Sequence, residues 1–200
     1  MLTIERAKQE LKIAVRNNPG LWQQHSEVTA ENAMRIAEKA GMDPEKAYIM
    51  GLMHDIGRRE GVTGMRHLID GYSYMMQLGE PELAVICLTH SFASQNVEHF
   101  EGKHDCTPEQ KAFIKAFVEN REYDDYDKLI QLCDALSLPT GSCLMEKRFV
   151  DVALRHGLQD YTTTRWRAYL ELKKYFDILC GCDIYTLLPG VLENSMTNLI

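Results

Sequence analysis

The chain lacks an excess of positive charge: 22 Lys and Arg stand against 29 Asp and Glu, for a net charge of -7. Bulk electrostatics therefore give no attraction to DNA, RNA or an anionic membrane surface, and no nucleic-acid polymer is expected as a partner. Long apolar runs are also missing. The longest stretches, such as Leu83 to Leu88, fall far short of the roughly 20 residues that a membrane span requires. The N-terminal segment MLTIERAKQELKIAV is charged from Glu5 onward and has no basic start, apolar run and small-residue cleavage site of a secretory signal. The six cysteines include no C-x-x-C pair; Cys180 and Cys182 form C-x-C, while Cys87 and Cys133 lie in apolar helical patterns. Reduced, mostly buried thiols in a cytoplasmic protein are expected. Strand-like alternation, concentrated β-branched residues, internal repeats and low-complexity segments are all absent.

What remains is helix after helix. Apolar spacing and punctuation predict helices over about 3–16, 21–40, 44–59, 64–77, 80–93, 107–119, 123–137, 142–156 and 160–179. Residues 94–106 are polar and aperiodic and read as a loop, and a short tail follows Leu188-Pro189-Gly190. Asp43-Pro44 suits a helix start, with Asp43 as cap and Pro44 in the first turn. The helix after it is apolar nearly all round (Ala47, Tyr48, Ile49, Met50, Leu52, Met53, Ile56) and belongs at the centre of an irregular helical bundle. With 200 residues and 45% hydrophobic content the chain can bury one sizeable core.

His54-Asp55 ends that most apolar helix. A buried carboxylate costs several kcal/mol unless compensated, and a divalent cation compensates it; imidazole plus carboxylate suits Zn, Fe, Mn or Co. Hydrogen bonding of the pair to nearby backbone would compensate it as well. The chain carries an internal control, His104-Asp105, in the polar loop Glu-Gly-Lys-His-Asp-Cys-Thr-Pro, where both side chains can face water. Asp134 has Ile130 and Leu138 as its i-4 and i+4 neighbours, so its carboxylate lies on an inward face. His25 shares a helix face with Asn32 and Ile36.

The order His25, then His54-Asp55-Ile56-Gly57, then Asp134, with an apolar Gly51-Leu52-Met53 run before the pair and Ala135-Leu136-Ser137 after the late Asp, resembles the HD-domain superfamily of metal-dependent phosphohydrolases. The similarity covers roughly residues 20 to 140. It implies an all-α, irregular helical bundle of the HD-domain type in which His25, His54, Asp55 and Asp134 bind one divalent metal, and Asp55 also serves catalysis. One HD-type domain over 1–200 is expected, with 140–200 as a C-terminal helical extension. In members of the superfamily with extra histidines between the pair and the final Asp, these complete a second metal site or touch the phosphate. His67 and His90 stand in those places, as in the bacterial dinucleoside-tetraphosphate hydrolases. The cyclic-dinucleotide phosphodiesterase branch fits less well, since there is no Gly-Tyr-Pro signature and Ser91 follows His90.

Arg58 follows the pair and suits bidentate docking of a substrate phosphate, whereas Arg59 reads as a surface residue. Lys147 and Arg148 are candidates to face the site, which the sequence leaves undecided. His99 and His156 read as structural, and the acidic run Glu122 to Asp127 as a solvated helix start. The expected function is metal-dependent hydrolysis of a phosphate ester or anhydride of a small molecule, with a nucleotide as expected substrate and one or two ions of Fe, Mn, Co, Zn or Mg. Three other readings stay open: a single-metal nucleoside monophosphate phosphatase, a nucleotide-binding regulatory module without turnover, and a helical scaffold with His54 and Asp55 structural. Residues 140–200 suit a lid, a substrate wall or the surface of a homodimer.

Overall fold

The computed structural model describes residues 1–197. Among these, ten α-helices run in the order α1 (Ile4–Asn17), α2 (Trp22–Ala40), α3 (Pro44–Met53), α4 (Arg66–Gln77), α5 (Pro81–Thr89), α6 (Pro108–Glu119), α7 (Asp125–Ala135), α8 (Met145–His156), α9 (Thr162–Cys180) and α10 (Val191–Met196). The fold is all-α, as expected. No helix among the described residues is long and apolar enough to cross a membrane.

Helix α3 is the axis of the bundle because its sequence leaves it no polar face. Ala47 to Met53 are all buried, and α1, α2, α5 and α7 pack around them. The Asp43 side chain accepts from the Glu45 and Lys46 amides, and Pro44 fills the first turn. Such a cap contributes about 1 kcal/mol, and the packing of α3 supplies the rest. Gly51 sets how closely α2 and α3 approach. A Cβ there would lie 2.7 Å from the Ala30 Cα, so only glycine lets the two helices touch along their backbones. That contact brings the His25 and His54 rings to 5.3 Å between centroids.

A second apolar cluster joins Met65 and Leu68 of the α4 region, Leu88 and Phe92 near the end of α5, Val97 and Phe100, and Ile114 and Val118 of α6. It ties down the segment 94–106, expected as plain loop, through a 3-10 turn at Val97–His99. At the other end of the chain, Tyr169 and Phe176 of α9 enter the main core, and Phe149 of α8 stacks on Trp166 at 5.4 Å.

Three features differ from the sequence reading. The helix expected over 44–59 ends at Met53; His54 and Asp55 form a turn, and Ile56–Glu60 winds as a 3-10 helix. Adjacent residues on an α-helix point about 100° apart. His54 keeps helical backbone angles (φ -54°, ψ -37°), Asp55 departs from them (φ -100°, ψ 12°), and both side chains reach one centre. A two-residue antiparallel ribbon, β1 (Ser137–Leu138) with β2 (Gly141–Ser142), follows α7. It is too short for alternation to reveal. The start of α7 is not simply solvated either. Asp127 is buried, and its carboxylate accepts from the Thr89 hydroxyl at 2.8 Å, Arg121 Nε at 2.9 Å and the Asp124 amide at 3.1 Å.

Candidate metal centre

Six side chains from five places in the chain meet at the end of α3. His25 comes from the first turns of α2, and His54 and Asp55 from the turn after α3. His67 comes from the first turn of α4, His90 from the residue after α5, and Asp134 from the last turn of α7. Five of the six are buried and Asp134 is half-buried. Their ligand atoms form three overlapping groups able to hold an ion: His25, His54 and Asp55; His54, His90 and Asp134; Asp55, His67 and His90. The structure thus brings together all four residues expected at the first metal and both expected at the second.

The histidines are oriented by backbone carbonyls. The Nδ1 of His54 lies 2.6 Å from the Gly51 carbonyl, that of His67 2.6 Å from Gly64, that of His90 3.2 Å from Ile86 and that of His25 3.2 Å from Ser137. A carbonyl only accepts, so each Nδ1 donates, which in the neutral form of a ring leaves Nε2 with a lone pair. Those lone pairs then face other acceptors. His67 Nε2 is 3.4 Å from His90 Nε2 and 3.2 Å from Asp55 Oδ1, and His25 Nε2 is 3.0 Å from Asp134 Oδ1. His54 Nε2 and Asp55 Oδ1 are buried without any hydrogen-bond partner. Acceptors packed against acceptors repel unless a cation lies among them; a proton between His25 Nε2 and Asp134 relieves that one contact, and a divalent ion would relieve the whole group. Ligands held at roughly 2.1 Å from a divalent ion sit about 3 Å apart, which matches these separations. The donor set therefore fits a divalent metal.

Burial keeps the rings of His54 and His90 ready to ligate. It lowers the pKa of His54 despite the opposing charges of Asp55 and Asp134, and it pushes His90 down to about 3, helped by His54. Burial alone would raise Asp55, but Arg58, His54 and His67 outweigh it and hold the carboxyl well below the usual range. Asp134 is likewise held down, against burial, by the His25 hydrogen bond and charge and by His54 and His90. Both carboxylates are anionic near neutral pH.

Local structure explains the placement. Gly57 packs so tightly on α4 that a Cβ would lie 1.9 Å from the His67 carbonyl, and this contact holds Asp55 beside His67. The ribbon has a purpose here. Asn32 Nδ2 donates to Ser137 Oγ at 3.1 Å, its Oδ1 accepts from the Ser142 hydroxyl at 2.7 Å, and the ribbon's Ser137 carbonyl orients His25. Arg58 Nε donates to Asp55 Oδ2 at 2.6 Å, and Asn18 Nδ2 holds the Arg58 carbonyl at 2.6 Å.

Two expectations need correction. Arg59 is not a surface residue: its guanidinium lies 3.7 Å above the Tyr74 ring, with Nε and Nη1 buried. The cation–π contact and the packing of Tyr74 on α1, where its hydroxyl donates to Glu10 at 2.5 Å, draw it inward. Asp105 does not simply face water either. It accepts from the Gly64 amide at 2.7 Å and the Arg66 amide at 2.9 Å, capping α4 from a distant loop. The same Gly64 supplies the carbonyl that orients His67. The companion His104 is exposed. His99 stays away from the centre, hydrogen-bonded to Ser94 and stacked on Tyr161 at 4.8 Å.

Above the six residues opens a cavity of about 900 Å³. His25, Asp55, His67, His90 and Asp134 form its floor, and Arg58 lies at its edge. Leu21, Trp22 and Val62 make an apolar lip, with Leu21 and Val62 strongly exposed. Lys147 and Arg148 do face the site, and so do Arg155, Arg165, Lys103 and Glu101, which sequence reasoning missed. No periodicity marks them, because charged residues on a solvated helix and charged residues on a cavity wall share the same pattern. Arg165 is ion-paired with Glu101, joining α9 to the segment 94–106.

No curated protein and no solved structure matches the chain. The family model of the HD domain matches residues 22–138, which span His25 through Asp134 and more than half of the sequence, so the chain belongs to the HD-domain family.

Proposed function

We propose that the protein is a metal-dependent phosphohydrolase acting on a small phosphorylated substrate, with a nucleotide as the best-supported class. The observation that carries this reading is the convergence of four histidine Nε2 atoms and two carboxylates beneath an open cavity. His25, His54, Asp55 and Asp134 would hold one divalent ion, and Asp55, His67 and His90 a second, with Asp55 shared. Held there, such ions polarise a phosphoryl oxygen and lower the pKa of water toward ~7.

The residues of the chain do the rest. Asp55 Oδ1 orients the attacking water, and Arg58 fixes Asp55 through Oδ2 while its guanidinium edge faces the cavity. The water oxygen bonds to phosphorus as the bond to the leaving oxygen breaks, and the proton that the water gives up balances the one that the leaving oxygen takes up. Arg58 neutralises charge on the phosphoryl group. The lip of Leu21, Trp22 and Val62 offers an apolar and aromatic surface for a base or other ring. A cavity lined both by this apolar group and by cationic side chains suits a molecule with an apolar part and an anionic part, which favours a nucleotide. The test is phosphate release from a nucleotide panel with Mn²⁺, Co²⁺ or Fe²⁺ supplied. Release should stop on chelation and in Asp55→Ala; activity that survives both overturns the reading.

A further inference from the structure

The chain is acidic overall, yet the cavity reverses that balance. Among the described residues it is lined by six cationic side chains, Arg58, Lys103, Lys147, Arg148, Arg155 and Arg165, against the carboxylates of Asp55, Glu101, Asp134 and Asp151. Two of those carboxylates, Asp55 and Asp134, belong to the metal centre. One phosphoryl group bound on the floor beside Arg58 leaves the other cations without a role in the reaction. They are also gathered. Lys147, Arg148 and Arg155 come from α8, and Arg165 from the facing side of α9.

The geometry of α8 is that of a prepared surface. Arg148 Nη1 and Arg155 Nη2 both pair with a single oxygen, Asp151 Oδ2, at 3.3 and 3.0 Å. One carboxylate thereby steers two guanidiniums and cancels the charge of only one. Arg148 and Arg165 also line a side recess of about 60 Å³, together with Glu101 and Asp134, so the wall adjoins the metal centre directly.

We propose that α8 and α9 form a second anion subsite, made by Lys147, Arg148, Arg155 and Arg165, and that the substrate class is a phosphate ester or anhydride carrying at least two phosphoryl groups. The inference rests on the phosphohydrolase reading for the cleaved group, while the subsite is a property of the wall alone. One phosphoryl lies on the floor, the next along α8, and the organic portion reaches the lip of Leu21, Trp22 and Val62. A monophosphate meets only the first of these surfaces.

The test is calorimetric titration of the metal-loaded protein at buffered free Mn²⁺ with inorganic triphosphate and with orthophosphate. Wild-type protein should bind triphosphate at least about tenfold more tightly than orthophosphate, since each charge-assisted contact to a further phosphoryl adds affinity. In Lys147→Ala/Arg155→Ala that preference should shrink to threefold or less, and Lys147→Arg/Arg155→Lys should restore most of it. The melting temperature of each variant reports on folding. Equal affinity for the two ions in the wild type, or an undiminished preference in the alanine variant, overturns the proposal. Absence of turnover on every nucleotide would sink the hydrolase reading and leave this titration fully informative.

Discussion

His54-Asp55 and His104-Asp105 are the same dipeptide in two settings, and the protein uses them in opposite ways. The first stands at the end of a helix with no polar face. Its imidazole Nε2 and one carboxylate oxygen are buried with no hydrogen-bond partner, turned toward four other ligand-type residues. The second lies in a loop. His104 is exposed, and Asp105 spends both oxygens on the Gly64 and Arg66 amides. The contrast teaches that a ligand-type residue becomes a metal candidate when its capacity is left unspent in a buried place. The two pairs are also linked, because Asp105 fixes the turn whose Gly64 carbonyl orients His67. One pair would carry the chemistry and the other supports a ring in it.

The sharpest break between them is expected on substitution. Asp55→Ala should lower metal-dependent phosphate release on the order of 10³-fold or more, because it removes the carboxylate shared by both ion positions. A comparable loss in Asp105→Ala would erase the distinction. Removing the metal comes next. An ion present at about 100 times its dissociation constant stabilises the native state by about 2.7 kcal/mol, which corresponds to roughly 5–10 °C of melting temperature at this chain length. Differential scanning fluorimetry with and without chelator should show that shift in the wild type and in His104→Ala, but not in Asp55→Ala.

Asp105→Asn should have an intermediate effect. The amide loses one of two backbone contacts, His67 is held less firmly, and affinity for the more weakly held ion should fall by about tenfold in a metal titration, the low end of what outer partners of a ligand contribute. An unchanged affinity would make Asp105 a plain loop cap. The pH dependence of the metal-free protein follows in size. Burial lowers the pKa values of His54 and of His90, the latter to about 3, so below pH ~6.5 the unfolded chain takes up protons that the folded site refuses. Stability from these rings is complete above ~6.5 and declines as the pH falls toward 4. The melting temperature of chelated protein should drop by several degrees between pH 7.5 and 5, and a flat profile would show that the rings reach water. The smallest effect is His104→Ala, within about 0.5 kcal/mol by denaturant unfolding.

The helical class and the centre of the fold were legible because periodicity reports burial. Ala47 to Ile56 could only be interior, and a carboxylate at the end of that run needed compensation. Asp55, Asp134 and His54 stood out as polar side chains on an apolar face or at the end of an apolar helix, while His25, His67 and His90 became candidates through the resemblance to the HD domain. What escaped is decided by contacts between distant segments. The break of α3 before His54 is followed by the close contact of Gly57 with α4, and the ribbon at 137–142 is held by Asn32. Arg59 is drawn inward by Tyr74, and Asp105 acts across 41 residues on Gly64. The cationic wall was half seen, through Lys147 and Arg148, because only the packing of α8 and α9 over the cavity distinguishes it from a solvated face.

The most direct measurement is anomalous diffraction at the manganese edge from crystals grown with Mn²⁺. The account predicts a peak within bonding distance of Nε2 of His25 and His54 and of carboxylate oxygens of Asp55 and Asp134, with any second peak between Asp55, His67 and His90. Peaks confined to other places, such as the acidic surface or the His104-Asp105 loop, would contradict it.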